Sequence, residues 1–189
     1  MCGGTGAAGP AKVLGTEDVD ERGRLIVEQI PRLRRYARAL TGDADRADDL
    51  VQDCLERAWG KFHLWRSGSN LRAWLFTIMH NLHVNSRRRV AIRPAVVSLS
   101  DWVEDRGIAP NQEKAAEVKG VTAALHLLPD DQRAVLLLIA LEDMSYQDVA
   151  RILDIPIGTV MSRLSRGRER LRQLLAAGEA GTAGRMSQR

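Results

Sequence analysis

An all-α chain, built as two small helical domains joined by a flexible linker, is what the sequence predicts, and three observations carry it. Apolar residues recur three and four positions apart on both sides of residues 90–115, the spacing of one helix face. Within residues 90–115 that period is lost, Pro94 and Pro110 interrupt the chain, and charges of both signs mix, as in a linker. Each periodic segment ends in a basic cluster, Arg87–Arg89 in the first and Arg163–Arg172 in the second.

Residues 1–20 are rich in Gly and Ala without periodicity and are expected to be disordered. Gly4 to Gly9 followed by Lys12 has a superficial likeness to a phosphate loop. Pro10 stands where that loop needs its lysine and no strand precedes it, so the match fails. From Leu25 the pattern turns helical: Leu25, Ile26, Ile30, Leu33, Ala37 and Leu40 share a face, with Pro31 kinking or breaking the turn. Thr41-Gly42-Asp43 stops that helix and caps the next. In the next helix Ala47, Leu50, Val51, Cys54, Leu55, Ala58 and Trp59 form the apolar stripe, while Asp45, Asp49, Gln52, Asp53 and Glu56 line the other side. Taken alone, that acidic side reads as a solvated face.

Lys61–Asn70 is a break, with turn chemistry at Ser67-Gly68-Ser69. Here Phe62 and Trp65 alternate with Lys61 and Arg66, a mix that suits stacking on unpaired bases and equally suits plugging a core. A helix follows from Asn70 to Arg89. Leu71, Trp74, Leu75, Ile78, Met79 and Leu82 face inward, and Asn81, Asn85 and Arg88 share the opposite face, where amides and guanidinium reach base edges and phosphates. His80 and His83 are three apart, but no Asp, Glu or Cys nearby completes a metal set, and they read as surface histidines.

Beyond the linker, Ala115–Leu128 is helical until Pro129. Asp130 and Asp131 are favourable first-turn charges for a helix running through Leu141. Ser145-Tyr146-Gln147-Asp148 reads as a capping box for a short helix ending at Leu153. Asp154-Ile155-Pro156 is a tight turn, and Ile157–Leu175 is the last helix before a flexible Gly/Ala/Ser tail, 176–189. A short helix, a three-residue turn and a longer basic helix make a helix-turn-helix, with Val149, Ala150, Leu153, Ile155, Val160 and Leu164 between the helices. Thr159, Ser162, Arg163, Arg166 and Arg170 lie on one face of the second helix, and Arg168 and Arg172 add to its charge against Glu169 alone. Hydroxyls and guanidiniums in that array read base edges and neutralise phosphate in a major groove, which favours DNA over a merely solvated helix.

The whole chain of 189 residues has 28 Lys and Arg against 24 Asp and Glu, a net charge of +4. The excess concentrates in residues 25–89, where twelve basic residues meet seven acidic ones. The longest apolar run, Ala134–Leu141, is far short of a bilayer span, and no signal-peptide pattern opens the chain. Cys2 and Cys54 cannot build a disulfide framework, and Cys54 reads as a small core residue in a reducing, cytoplasmic compartment. There is no Walker lysine loop, HExxH, GxSxG or Cys-His metal cluster, so no enzyme, cofactor or metal is expected.

Three stretches now combine. Leu128–Arg133, Met144–Ala150 and Ile155–Arg168 resemble region 4 of a sigma-70-family factor, most of all in the extracytoplasmic-function group. Independently, Asp45–Asp53 resembles region 2.2, and Asn70–Leu82 with Arg87-Arg88-Arg89 resembles regions 2.3 and 2.4. The resemblance spans about residues 25–175, in the family's order and spacing. It implies a region 2 helical bundle (21–89), the linker (90–115) and a region 4 helix-turn-helix (116–175), while the N-terminal extension (1–20) has no counterpart in the family and the tail (176–189) follows the last helix. It also implies an alternative sigma factor that binds core RNA polymerase and directs initiation at promoters with particular −35 and −10 elements. Asp45, Asp48, Asp49, Gln52, Asp53 and Glu56 would dock on the β′ clamp helices. Lys61, Phe62, Trp65, Arg66, Ser69 and Asn70, with Asn81, Asn85, Arg87, Arg88 and Arg89, would capture and open the −10 element. Thr159, Ser162, Arg163, Arg166, Arg168 and Arg170 would read the −35 element. The β flap, promoter DNA and an anti-sigma factor are the further partners implied, with no membrane insertion and a nucleoid location when bound to polymerase. Two residues depart from the family's pattern, Asp154 where Gly is frequent and Asn85 where many members carry Asp. The alternative is a stand-alone helix-turn-helix regulator with an N-terminal sensor domain, which would need neither the acidic 45–56 face nor the 61–89 segment.

Overall fold

The computed structural model describes the backbone of residues 16–66, 68–90 and 112–186, with side chains for residues 21–66, 68–87, 118 and 120–177. The disorder expected of residues 1–15, the flexible linker over 91–111 and the last three residues of the tail lie outside it. Among the described residues there are eight α-helices and no strand. They are α1 (Thr16–Val27), α2 (Ile30–Thr41), α3 (Ala44–Lys61), α4 (Leu71–Val90), α5 (Gln112–His126), α6 (Asp130–Leu136), α7 (Tyr146–Leu153) and α8 (Ile157–Met186). A 3-10 turn, Phe62–Leu64, follows α3, and a π-helical turn, Leu137–Leu141, continues α6.

Three boundaries differ from the sequence reading. Helix α1 begins at Thr16, inside the stretch expected to be unstructured, and α5 begins at Gln112. Helix α8 runs on to Met186, past Leu175, through a stretch in which four alanines favour the helix and three glycines oppose it. Pro31 breaks the helix rather than kinking it. It sits in the first turn of α2, where its missing N–H has no partner to lose, and the chain turns just before it at Glu28 and Gln29.

In the first half α2, α3 and α4 bury Leu33, Leu40, Leu50, Val51, Leu75 and Met79, and Tyr36 meets Phe76 edge-on with ring centroids 5.0 Å apart. Cys54 is buried there, and its thiol, pushed up to about 12 mainly by burial, faces the Leu75 carbonyl at 3.5 Å. Trp59 departs from the predicted stripe: it is 52% exposed. In the second half α6, α7 and α8 enclose Val135, Leu138, Val149, Ile152, Val160 and Leu164. Gly167 lets α8 approach α6 closely, since a Cβ there would stand 2.9 Å from Leu136 Cδ1. The halves are not held apart. Helix α4 lies against α7, α2 lies against the π turn, and the buried residues of both form one continuous core.

Gly42 is one of the places where the two halves meet. It closes α2 with φ 71°, in the left-handed region, and the imidazole of His126 from α5 rests where a side chain would begin, 2.5 Å from an ideal Cβ. Gly42→Ala is therefore expected to lower stability by about 1–2 kcal/mol from backbone conformation alone, and by more once His126 is displaced. Chemical denaturation measures it; a change below about 0.5 kcal/mol, the usual size for a surface substitution, would contradict that contact.

Candidate functional site

The acidic face is set by α3. Asp43 caps the helix, its carboxylate accepting from Arg46 N at 2.9 Å, and the apolar stripe turns inward. Asp45, Asp48, Asp49, Gln52, Asp53 and Glu56 are consequently all exposed on one helix. Gln52 Nε2 donates to Glu56 Oε1 at 3.1 Å, and Asp48 sits 3.9 Å from Arg34. Beside this face runs an apolar groove of about 490 Å³ between α1 and α3, walled by Ile26, Val27, Ile30, Leu55 and Trp59. A negative strip next to an apolar groove fits a basic, amphipathic helix.

The connection to α4 brings the aromatics together. Phe62 is buried, with Trp65 at 5.2 Å and Trp74 at 6.1 Å between ring centroids, and the Arg22 guanidinium lies over its ring. Packing claims Phe62, while Trp65 stays partly open and Lys61 and Arg66 are exposed beside it. Ser69 closes the turn by donating to the Arg66 carbonyl at 2.7 Å. Asn70 caps α4, its Oδ1 accepting from Ala73 N at 3.0 Å. Asn81, Asn85 and Arg87 are exposed along α4, whereas the side chains of Arg88 and Arg89 lie outside the described residues. Arg87 is engaged: Nη1 donates to Asp130 Oδ1 at 3.0 Å and Nη2 lies 2.9 Å from Oδ2.

The helix-turn-helix forms as its residues dictate. Ser145 caps α7, its Oγ accepting from Asp148 N at 3.1 Å and donating to Asp148 Oδ2 at 2.7 Å. Asp154 ends α7 with φ 52° and ψ 51°, the left-handed conformation that a short polar side chain tolerates where Gly is frequent. On α8, Ser162, Arg166, Arg168 and Arg170 are exposed and Thr159 is half-buried. Arg166 lies back along the helix, donating to the Ser162 carbonyl at 3.2 Å and its hydroxyl at 3.3 Å, so the two form one polar unit. Arg163 turns away from this group: it is 26% exposed and its Nε is 3.1 Å from Asp131 Oδ2.

Sequence reasoning missed the seam between the halves. His83, read as a surface residue, is 8% exposed, and burial is the main reason its pKa is lowered to about 4. His80 and His126 are lowered too, first by burial and then by Arg163 and Arg133 respectively. Arg133 is buried, pairs with Asp130 and donates to the His126 carbonyl at 3.2 Å. Glu142 is fully buried and held by Arg35, whose Nη2 reaches Oε1 at 2.8 Å. The Arg35–Glu142 pairing has no spacing signal, because it joins residues 107 positions apart, whereas Arg133 and Asp130 are three apart on one helix and only the burial of Arg133 was hidden from the sequence.

Two family models match the chain: the sigma2 domain of PhyR over residues 26–80 and sigma-70 region 4 over residues 120–171. The chain is 41% identical over 152 residues to the ECF RNA polymerase sigma factor EcfG of Rhodopseudomonas palustris, covering 79% of this chain and 82% of that one. Among solved structures it resembles the sigma factor RpoE of Bartonella quintana in complex with the anti-sigma factor NepR. That likeness has a TM-score of 0.69 at 36% identity, over 85% of this chain and 98% of the other. It also resembles CnrH bound to the cytosolic domain of CnrY, with a TM-score of 0.63 at 25% identity over 84% and 90% of the two chains.

Proposed function

The chain belongs to the extracytoplasmic-function sigma factors of the sigma-70 family, and from that we propose how its residues divide the work of an alternative sigma factor. Such proteins are DNA-binding regulators rather than enzymes, and the chain directs promoter-specific initiation by RNA polymerase. Residues 21–89 form one grip and residues 116–175 the other. The acidic face from Asp45 to Glu56 and the apolar groove beside it receive the β′ clamp helices, and the second half meets the β flap. Trp65, with Lys61, Arg66, Asn81, Asn85 and the Arg87–Arg89 cluster, captures the −10 element. There a base leaves the stack, a step that costs a few kcal/mol and is offset by stacking and phosphate contacts. Thr159, Ser162, Arg166, Arg168 and Arg170 face the −35 element, with Arg163 joining them once free of Asp131. An anti-sigma factor is the regulatory partner, by likeness to the RpoE–NepR pair. Among the described residues no helix is long and apolar enough to cross a membrane. A cytoplasmic, nucleoid-associated location follows from the partners.

The single observation that carries this reading is the exposed Ser162–Arg166 unit on α8, presented by a helix-turn-helix whose capping and turn geometry are complete. Arg166→Ala is expected to weaken binding to the −35 element by about 1–3 kcal/mol, with little effect on core polymerase affinity. Footprinting of the holoenzyme on a selected promoter tests it; an unchanged −35 footprint at limiting protein would remove α8 as the reader.

A further inference from the structure

The charged groups along the seam between the two halves are taken up with one another. At one end Arg35 of α2 donates from Nε and Nη2 to Glu142 Oε1, at 3.1 and 2.8 Å, and from Nη2 to the Leu141 carbonyl at 3.0 Å. Glu142 is fully buried there, and Arg32 stands 3.8 Å from its other oxygen. At the other end Arg87 of α4 holds Asp130 with two nitrogens on two oxygens. The next residue, Asp131, holds Arg163 of α8. Between them lies a cleft of about 400 Å³ walled by His80, Val84, Ala134 and Leu153. Adjacent carboxylates at the head of α6 therefore occupy two arginines that the functional reading gives to promoter DNA, one from each half.

A carboxylate offers a guanidinium the same ligand chemistry as a phosphate: charge-assisted N–H···O bonds, two at a time where the geometry allows. We propose that Asp130 and Asp131 are an internal stand-in for DNA phosphate, so that the free chain rests self-closed and promoter DNA has to displace them. The Arg35–Glu142 clasp holds the halves together until then. The proposal rests on the assignment of Arg87 and Arg163 to DNA. Arg87 belongs to the first half and Asp130 to the second, so handing Arg87 to a phosphate breaks a contact between halves. Opening and DNA binding are then linked, because the duplex binds only one of the two states well. The exposed Arg87–Asp130 pair is individually weak, so the buried Glu142 and the shared apolar core set most of the cost of opening.

The test uses the full free chain without polymerase. Small-angle X-ray scattering reads the separation of the halves, fluorescence anisotropy with a labelled 30-base-pair duplex reads DNA affinity, and circular dichroism checks helicity. Arg35→Glu is expected to raise the radius of gyration, and adding Glu142→Arg is expected to restore the wild-type value. Asp131→Asn is expected to bind the duplex about two- to fivefold more tightly, the worth of an exposed ion pair. That gain should vanish when Arg163→Ala is added, which separates a released arginine from simple loss of negative charge. A radius unchanged in Arg35→Glu, or no gain in Asp131→Asn, overturns the proposal. If Arg166→Ala still weakens duplex binding while Asp131→Asn gives no gain, the stand-in fails and the recognition helix stands. If neither Arg163→Ala nor Arg166→Ala matters in the Asp131→Asn chain, the DNA assignment itself fails and the proposal with it. Should Arg35→Glu lose helicity, Glu142→Gln keeps the shape, removes the charge and carries the same expectation of a larger radius.

Discussion

Reversing two charges on the acidic face of α3, Asp49→Lys together with Asp53→Lys, is expected to abolish co-purification with core RNA polymerase. Both side chains are exposed one turn apart, beside the apolar groove, where an incoming basic helix would meet two like charges in place of two opposite ones. Like-charge juxtaposition across an interface costs several kcal/mol, so affinity falls on the order of a hundredfold or more. The fold does not depend on either residue. The Asp43 cap and the buried stripe of α3 are untouched, and exposed substitutions cost about 0.5 kcal/mol or less. Pull-down with tagged core enzyme, alongside a thermal melt, separates the two effects. Intact co-purification would remove the acidic face from the polymerase interface.

The second large effect is on acid stability. His83 is held neutral in the seam, facing His80 and Arg87 of its own helix and Asp130 and Arg133 of α6. Burial is the main reason its pKa is lowered from 6.5 to about 4, and Arg87, Arg133 and His80 push the same way against Asp130. The unfolded chain therefore takes up the proton first. This stabilisation is complete above the unfolded pKa and is lost as pH falls toward 4, by about 3 kcal/mol over the interval. His80 and His126, also lowered, act in the same direction. Glu142, raised by burial despite Arg35, acts in the opposite one, since its protonation relieves a buried charge. With three imidazoles against one carboxyl, the melting temperature is expected to fall steeply between pH 6.5 and 4.5. His83→Asn should flatten that fall. An equally steep profile in His83→Asn would show that His83 is not the group being titrated.

What the sequence made legible was local. Helix caps at Asp43 and Ser145, the turn at Asp154 and the apolar stripes of α2, α3 and α7 are written within a few residues of each other, and the structure forms them with Trp59 alone turned outward from the α3 stripe. The acidic face and the exposed arginines of α8 follow from the same periodicity, because an outward face is whatever the inward stripe leaves behind. The seam was illegible for the converse reason. Arg35 and Glu142 are separated by 107 positions and Arg87 and Asp130 by 43, and no pattern within either half announces its partner. His83 looked like a surface residue because the stripe of α4 was assigned to one core, whereas α4 packs on α3 with one side and on α7 with another. Arg163 shares the register of the DNA-facing residues, yet Asp131 draws it toward α6.

The central claim is that this chain gives core RNA polymerase its choice of promoter. Run-off transcription with purified core enzyme over a genomic promoter library, with and without the chain, tests it most directly. A new set of start sites sharing −35 and −10 elements, present only when the chain is added and lost with Asp49→Lys/Asp53→Lys, is the predicted result. Initiation at the same positions and at the same level in both reactions would contradict it.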